Sequence, residues 1–169
     1  MKYKFEKVFD CPPQRLVEVM FRKGITEELK KAMNTLVEAE TLFWEDKGDR
    51  IERKVRYLPV PAIKRVGPKK VEPKWMEWVE ESVFYKDQMR GEYRNVPTTP
   101  GVAKKMENHG EITFQSLPGG RTKRVISGEL KVKVPILGKI AERLIYSYAQ
   151  KILEDEANAL VKYLEDTQE

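Results

Sequence analysis

Between residues 139 and 169 the chain has neither proline nor glycine, and its apolar residues return every three or four positions. Leu137, Ile140, Ala141, Leu144, Ile145, Tyr148, Ile152, Ala159 and Tyr163 form one stripe. Lys139, Glu142, Arg143, Lys151, Glu154 and Asp155 fill most of the remaining turns. The pattern predicts one amphipathic helix of about 28 residues, roughly 40 Å long at 1.5 Å per residue. Such a stripe has to be buried, so the preceding chain must supply an apolar surface to receive it.

What precedes it has the period of a sheet. Residues 2–9 place Tyr3, Phe5 and Phe9 on one face, with Lys7 among them. Asp10-Cys11-Pro12-Pro13 signals a helix start, and Leu16, Val17, Val19, Met20 and Phe21 continue at helical spacing over about 12–22. After Gly24, Thr26 is the expected cap of a second short helix, with Glu27 and Glu28 in its first turn, ending near Ala32 or Met33. Residues 35–57 read as a long hairpin about Asp46-Lys47-Gly48-Asp49. Val37, Ala39, Thr41 and Phe43 are expected on one face of its first strand. Ile51, Arg53, Val55 and Tyr57 share a face of its second.

Further extended segments are expected at 75–85, 89–94, 106–117 and 121–134, the last with Ile126, Gly128, Leu130, Val132 and Val134 on one side. Two loops interrupt them. Residues 58–74 hold four prolines, one glycine and five Lys or Arg, and are expected to form a surface loop within one domain. Residues 95–101 hold two prolines and form the second loop. The sum is an α+β chain of 169 residues in one domain: a curved antiparallel sheet of about seven strands gripping a long C-terminal helix, with two short helices between strands 1 and 2.

Several function classes fall away. One cysteine, Cys11, allows no intrachain disulfide, and one histidine, His109, cannot build a multi-histidine metal site, so no metal and no cofactor are expected. No nucleophile-elbow or phosphate-loop spacing occurs, and Gly119-Gly120 reads as a hairpin turn. The opening residues match neither a signal peptide nor a membrane span, so a cytoplasmic chain, soluble or at most peripheral, is expected. The net charge of +5 is spread through the chain. Lys131, Lys133, Arg121, Lys123 and Arg124 lie close in sequence, yet no interleaved aromatics suggest a nucleic-acid surface, and nucleic acid is not an expected partner.

A helix held in a curved sheet seldom fills the whole concavity. Gly128 leaves space on the inward face, where Tyr57, Trp78, Tyr93 and Phe114 project. These aromatics either fill a solid core or line an apolar pocket, and the concave, apolar character of ligand sites favours the pocket. Arg53 and Glu80 fall in phase with the apolar face. They pair with each other, or anchor a ligand head group, or a one-residue slip in phase turns them outward.

The order of elements resembles the START-like superfamily, also called SRPBCC, whose fold is the helix-grip of the birch-pollen allergen. The resemblance spans the chain. It is carried by Val8-Phe9-Asp10-Cys11-Pro12 leading into two short helices, the paired strands at 35–57, the last strand and its exit Gly128-Glu129-Leu130-Lys131-Val132-Lys133-Val134-Pro135, and the helix from 137. The exit through Ile136-Leu137-Gly138-Lys139-Ile140-Ala141-Glu142 looks like bacterial families of unknown function in that superfamily. The layout is loosely similar to PRELI-like phospholipid-transfer domains as well.

The resemblance implies binding, and in some members transport, of lipids or other hydrophobic small molecules, with cyclases and aromatases as a minority. The expected ligand-binding set is Arg53, Val55, Tyr57, Trp78, Glu80, Phe84, Tyr93, Phe114, Ile126, Leu130, Leu144 and Tyr148, with no catalytic residue. A cyclase or aromatase would instead draw acid–base groups from Arg53, Glu80, Tyr93 or His109. Transient contact with an anionic membrane is expected at 58–74, where Val60, Ala62, Ile63, Val66 and Val71 stand among Lys64, Arg65, Lys69, Lys70 and Lys74.

Overall fold

The computed structural model describes residues 1–62, 64–66 and 68–168; the side chains of residues 66 and 69 lie outside that description, as does Ile63. In chain order the elements are β1 (Lys2–Phe9), α1 (Pro13–Met20), α2 (Ile25–Lys30), β2 (Leu36–Asp46), β3 (Arg50–Pro59), β4 (Arg65–Val66), β5 (Lys69–Lys70), a 3-10 turn (Pro73–Met76), β6 (Trp78–Tyr85), β7 (Arg90–Pro97), α3 (Pro100–Ala103), β8 (Met106–Leu117), β9 (Arg121–Val132) and α4 (Gly138–Asp166). Seven strands form one antiparallel sheet in the order β1-β9-β8-β7-β6-β3-β2. The sheet is curved, and α4 lies along it, as the α+β helix-grip reading expects.

Local sequence chemistry accounts for most boundaries. Pro12 holds the extended conformation before α1 and Pro13 takes its first turn, where a missing amide proton costs nothing. Gly24, at φ 81°, turns the chain into α2. The helix therefore begins at Ile25, and Thr26 is a buried member of its first turn, not the cap expected from sequence.

Four further expectations need correction. In β2 a register shift between Thr41 and Phe43 reverses the alternation. Phe43 is thereby exposed, and Trp44 turns to donate its indole N–H to the Phe21 carbonyl at 2.9 Å. The segment after β3 is not devoid of regular structure, because Arg65–Val66 and Lys69–Lys70 pair as a small ladder. Residues 73–76 coil into a 3-10 turn, so the sixth strand starts at Trp78. Residues 95–101 are not one loop, since β7 runs to Pro97 and α3 starts at Pro100.

Carboxylates tie the helices to the strands. Asp155 of α4 accepts from the Asn34 and Thr35 amides at 2.8 and 2.9 Å and from the Thr35 hydroxyl at 2.7 Å. Glu27 of α2 accepts from the Thr41 amide at 2.6 Å, across to β2. Glu142 accepts from the Val132 amide at 2.9 Å, and that bond holds its carboxyl below the ordinary range.

The core is concentrated at one end. Leu16, Val19 and Met20 of α1, Ile25 and Leu29 of α2, and Ala157, Leu160 and Leu164 of α4 close over Phe9, Phe84 and Phe114. The first half of α4 has no such cover: Leu137, Ile140 and Leu144 are exposed.

Candidate functional site

Under that first half of α4 lies a cavity of about 600 Å³, within the usual range for small-molecule sites. Strands β3, β6, β7, β8 and β9 form its floor, through Tyr57, Trp78, Tyr93, Ile112, Ile126 and Leu130. Helix α4 forms its roof through Leu144, Ile145, Tyr148 and Ile152. Met20, Phe21, Ile25 and Leu29 close the end nearest the core. Ala62, Trp75, Met76 and Val102 stand near the other end, where β3, β6, β7 and β9 enter or leave the sheet. Tyr57 stacks on Trp78 with ring centroids 5.2 Å apart, giving the floor a flat aromatic surface.

Nine of the twelve residues singled out from sequence touch this space: Arg53, Tyr57, Trp78, Glu80, Tyr93, Ile126, Leu130, Leu144 and Tyr148. Val55, Phe84 and Phe114 do not. Phe21, the residue after α1, stacks on Phe84 at 4.2 Å and meets Phe114 edge-on at 6.3 Å. This aromatic cluster plugs the concavity and takes both phenylalanines out of it. Val55 is fully buried, and its neighbours Arg53 and Tyr57 present the accessible surface instead.

Arg53 and Glu80 face inward and pair, with Nη2 to Oε1 at 3.4 Å. The alternation is therefore in phase, and the outward reading is excluded. Arg53 also donates to the Ser82 hydroxyl at 3.2 Å and the Met20 carbonyl at 3.0 Å, and lies 4.9 Å over the Phe21 ring.

A second ion pair was not expected. Arg124, with only 1% of its side chain exposed, makes a bidentate pair with Glu156 of α4 at 2.9 and 2.7 Å. Arg124 is thereby removed from the outer basic stretch into which its sequence neighbours place it. Its signal was readable: it is in phase with Ile126 and Leu130, as Arg53 is with Tyr57.

A string of neutral polar groups crosses the floor. Asn95, Asn108, Tyr3 and Tyr93 are linked side chain to side chain at 2.6, 3.0 and 2.6 Å. Burial raises the pKa of the Tyr3 hydroxyl and pushes that of Tyr93 well above the usual phenol range, so both stay protonated. Tyr3, Asn95 and Asn108 were not anticipated. The available signal was asparagine, a poor strand former, in phase with an apolar strand face.

His109 is exposed on the outer side of the sheet, away from the cavity. Cys11 is buried, and burial raises its thiol pKa. Among the described residues no cluster of His, Cys, Asp and Glu is placed to hold a metal ion, and no helix is long and apolar enough to cross a membrane.

The topology is that of the START-like helix-grip fold, with a cavity under the helix. Within that class, the chain belongs to the family described as protein of unknown function (DUF2505), whose model matches residues 4–164. No curated protein matches it. Norcoclaurine synthase from Thalictrum flavum, in complex with dopamine and hydroxybenzaldehyde, is similar in structure: TM-score 0.70, 15% identity, covering 100% of this chain and 88% of that one. The Zhui aromatase/cyclase from Streptomyces sp. R1128 matches with TM-score 0.64 and 15% identity over 98% of this chain and 93% of its own. A START superfamily protein from Mycobacterium smegmatis matches with TM-score 0.57 and 10% identity over 98% and 97%. At these identities the likeness is one of fold.

Proposed function

We propose that the chain binds a lipid or other hydrophobic small molecule in the cavity between the sheet and the first half of α4. The single observation that carries this reading is the cavity itself. A space of about 600 Å³ bounded by Tyr57, Trp78, Ile126, Leu130, Leu144 and Ile152 is an apolar volume that the chain's own side chains leave unfilled. Packed interiors tolerate few voids larger than a water molecule, so one of this size calls for an occupant.

A saturating ligand stabilises the folded state by mass action, by about 2.7 kcal/mol when present at a hundred times its dissociation constant. The expected result is a rise in Tm with at least one member of a panel of fatty acids, phospholipids, sterols and aromatic polyketides. Mass spectrometry of extracts from the purified protein should recover a related molecule. A flat response across the panel, with nothing extracted, would sink the proposal.

Binding is favoured over a cyclase or aromatase activity by the state of the candidate acid–base groups. Arg53 and Glu80 neutralise each other, Tyr93 is held protonated, and His109 stands outside the cavity.

Delivery of the ligand at a membrane is supported by the open end. Trp75, Ile136, Leu137, Ile140 and Leu144 are exposed, and so are Lys74, Lys133, Lys139 and Arg143. Ile136 is 96% exposed and sits at φ 65°, a conformation that is strained for a β-branched residue. Apolar side chains ringed by cations suit an anionic bilayer. The contact would thus be shared between the 58–74 segment and the start of α4. Sedimentation with phosphatidylserine-containing vesicles is expected, with little on phosphatidylcholine alone. The pair Ile136→Ser/Leu137→Ser should weaken it about tenfold, since each loses an inserted apolar side chain. Equal sedimentation on both vesicle types would remove the anionic preference, and no sedimentation above a vesicle-free control would remove the membrane from the proposal.

A further inference from the structure

The asparagine end of the polar string on the cavity floor has a direction, and its partners fix that direction. The Glu129 carbonyl can only accept, so Asn108 turns its Nδ2 toward it at 3.3 Å. The same Nδ2 donates to the Tyr3 hydroxyl at 3.0 Å. The Tyr3 hydroxyl lies 2.6 Å from that of Tyr93, which in turn lies 3.4 Å from the Ser127 carbonyl. Either hydroxyl can be the donor between the two tyrosines, and the orientation of Asn108 does not depend on which. Asn108 is then left with Oδ1 facing Asn95, and Asn95 must answer with its Nδ2, at 2.6 Å. The orientation of the Asn95 amide is thereby settled by hydrogen-bond logic.

What remains is Asn95 Oδ1. It lies on a residue lining the cavity, is buried, and has no hydrogen-bond partner among the described residues. A buried acceptor left unpaired is costly, and a donor brought to it relieves that cost. The Tyr148 hydroxyl, on the α4 side of the same cavity, is likewise buried without a partner.

Most charged groups of the cavity are already paired: Arg53 with Glu80, Arg124 with Glu156, and Glu77 with Arg56. Lys151 is an exposed member of the lining, and Arg124 keeps one buried N–H, at Nε, without a partner among the described residues, a donor that a neutral oxygen can meet. A charge carried past Lys151 into the enclosed part of the cavity would have to break one of these pairs or stay unpaired, and either is unfavourable among apolar side chains.

We infer that the cavity takes an uncharged, largely apolar molecule bearing a hydroxyl group, whose O–H donates to Asn95 Oδ1. Phenols and lipid or sterol alcohols meet this description, while fatty-acid anions do not. The inference rests on the binding function proposed above and narrows its ligand class. Tyr148 offers a hydrogen bond to the same hydroxyl oxygen or to a second oxygen of the ligand.

A matched set of fluorescent probes tests it on the unaltered chain: pyrene, 1-methoxypyrene, 1-hydroxypyrene and 1-pyrenesulfonate, titrated at neutral pH, where the phenol keeps its proton. The methoxy compound keeps the oxygen and loses the donor. The expected result is binding of 1-hydroxypyrene about tenfold tighter than 1-methoxypyrene, as one net hydrogen bond to a buried acceptor allows. The methoxy compound, whose oxygen can still accept from Tyr148, should fall between pyrene and 1-hydroxypyrene, and the sulfonate should bind most weakly. Asn95→Leu should bring the hydroxy and methoxy compounds to equal affinity. Equal affinities on the unaltered chain, or a preference for the sulfonate, would overturn the inference and leave the hydrophobic-binding function standing. Binding of none of the four would overturn both.

Discussion

Replacing Arg124 by methionine should cost about 3 kcal/mol of stability or more, read as a lowered urea midpoint with an unchanged slope. The size of the effect comes from what is left behind. Arg124 is almost wholly enclosed, while the Glu156 side chain is 24% exposed. Methionine fills much of the arginine's volume, so the loss is not chiefly one of packing. The substitution strands a carboxylate on the cavity side of α4, in surroundings where its charge is poorly solvated. It also removes the guanidinium that lies 5.1 Å over the Phe9 ring. The double variant Arg124→Met/Glu156→Leu should recover most of the loss, because a matched apolar pair can replace a buried ion pair at little net cost. A single variant within about 1 kcal/mol of the parent would show that the pair is not an important tie between β9 and α4.

The second large effect is expected at Gly128. Gly110 and Gly128 face each other across β8 and β9. A Cβ on Gly128 would stand 2.5 Å from the His109 carbonyl oxygen and 2.7 Å from the Tyr3 hydroxyl. A Cβ on Gly110 would collide with the Ser127 carbonyl and reach 2.6 Å from the Tyr93 hydroxyl. The two glycines thus make room for the linked tyrosines that begin the polar string. Gly128→Ala should lose about 2–4 kcal/mol, within the range for overpacking that moves backbone. Adding Tyr3→Phe should restore little, because the collision with the His109 backbone remains. Full rescue by Tyr3→Phe would show that the hydroxyl alone fills the space, and a loss under about 0.5 kcal/mol would show that the sheet bends to accept a methyl group.

Both predictions concern residues that a strand pattern treats differently. Gly128 stood out in the sequence as the small residue on the inward face of the last strand, and periodicity with the turn signals gave the order of elements that resembles the helix-grip fold. Alternation also placed Arg53, Tyr57, Trp78, Glu80, Tyr93, Ile126 and Leu130 on the concave side. It failed in β2, where the register shift after Thr41 reversed the faces and exposed Phe43. No propensity signals a bulge of that kind. Alternation also could not separate cavity from core. Phe84 is in phase with Trp78 and Glu80, but whether a side chain in that row meets space or another ring depends on Phe21, which arrives from the end of α1.

The chain's periodicities therefore settled the elements, their order, and which side of each regular strand faces inward, because those are properties of a segment and its nearest neighbours. Tertiary structure decided where the concavity is filled and where it is empty. It also decided that Arg124 meets Glu156, 32 residues away, and that the asparagine–tyrosine string ends in a free acceptor. Each of these depends on side chains brought together from distant parts of the sequence, and neither spacing nor propensity carries that information.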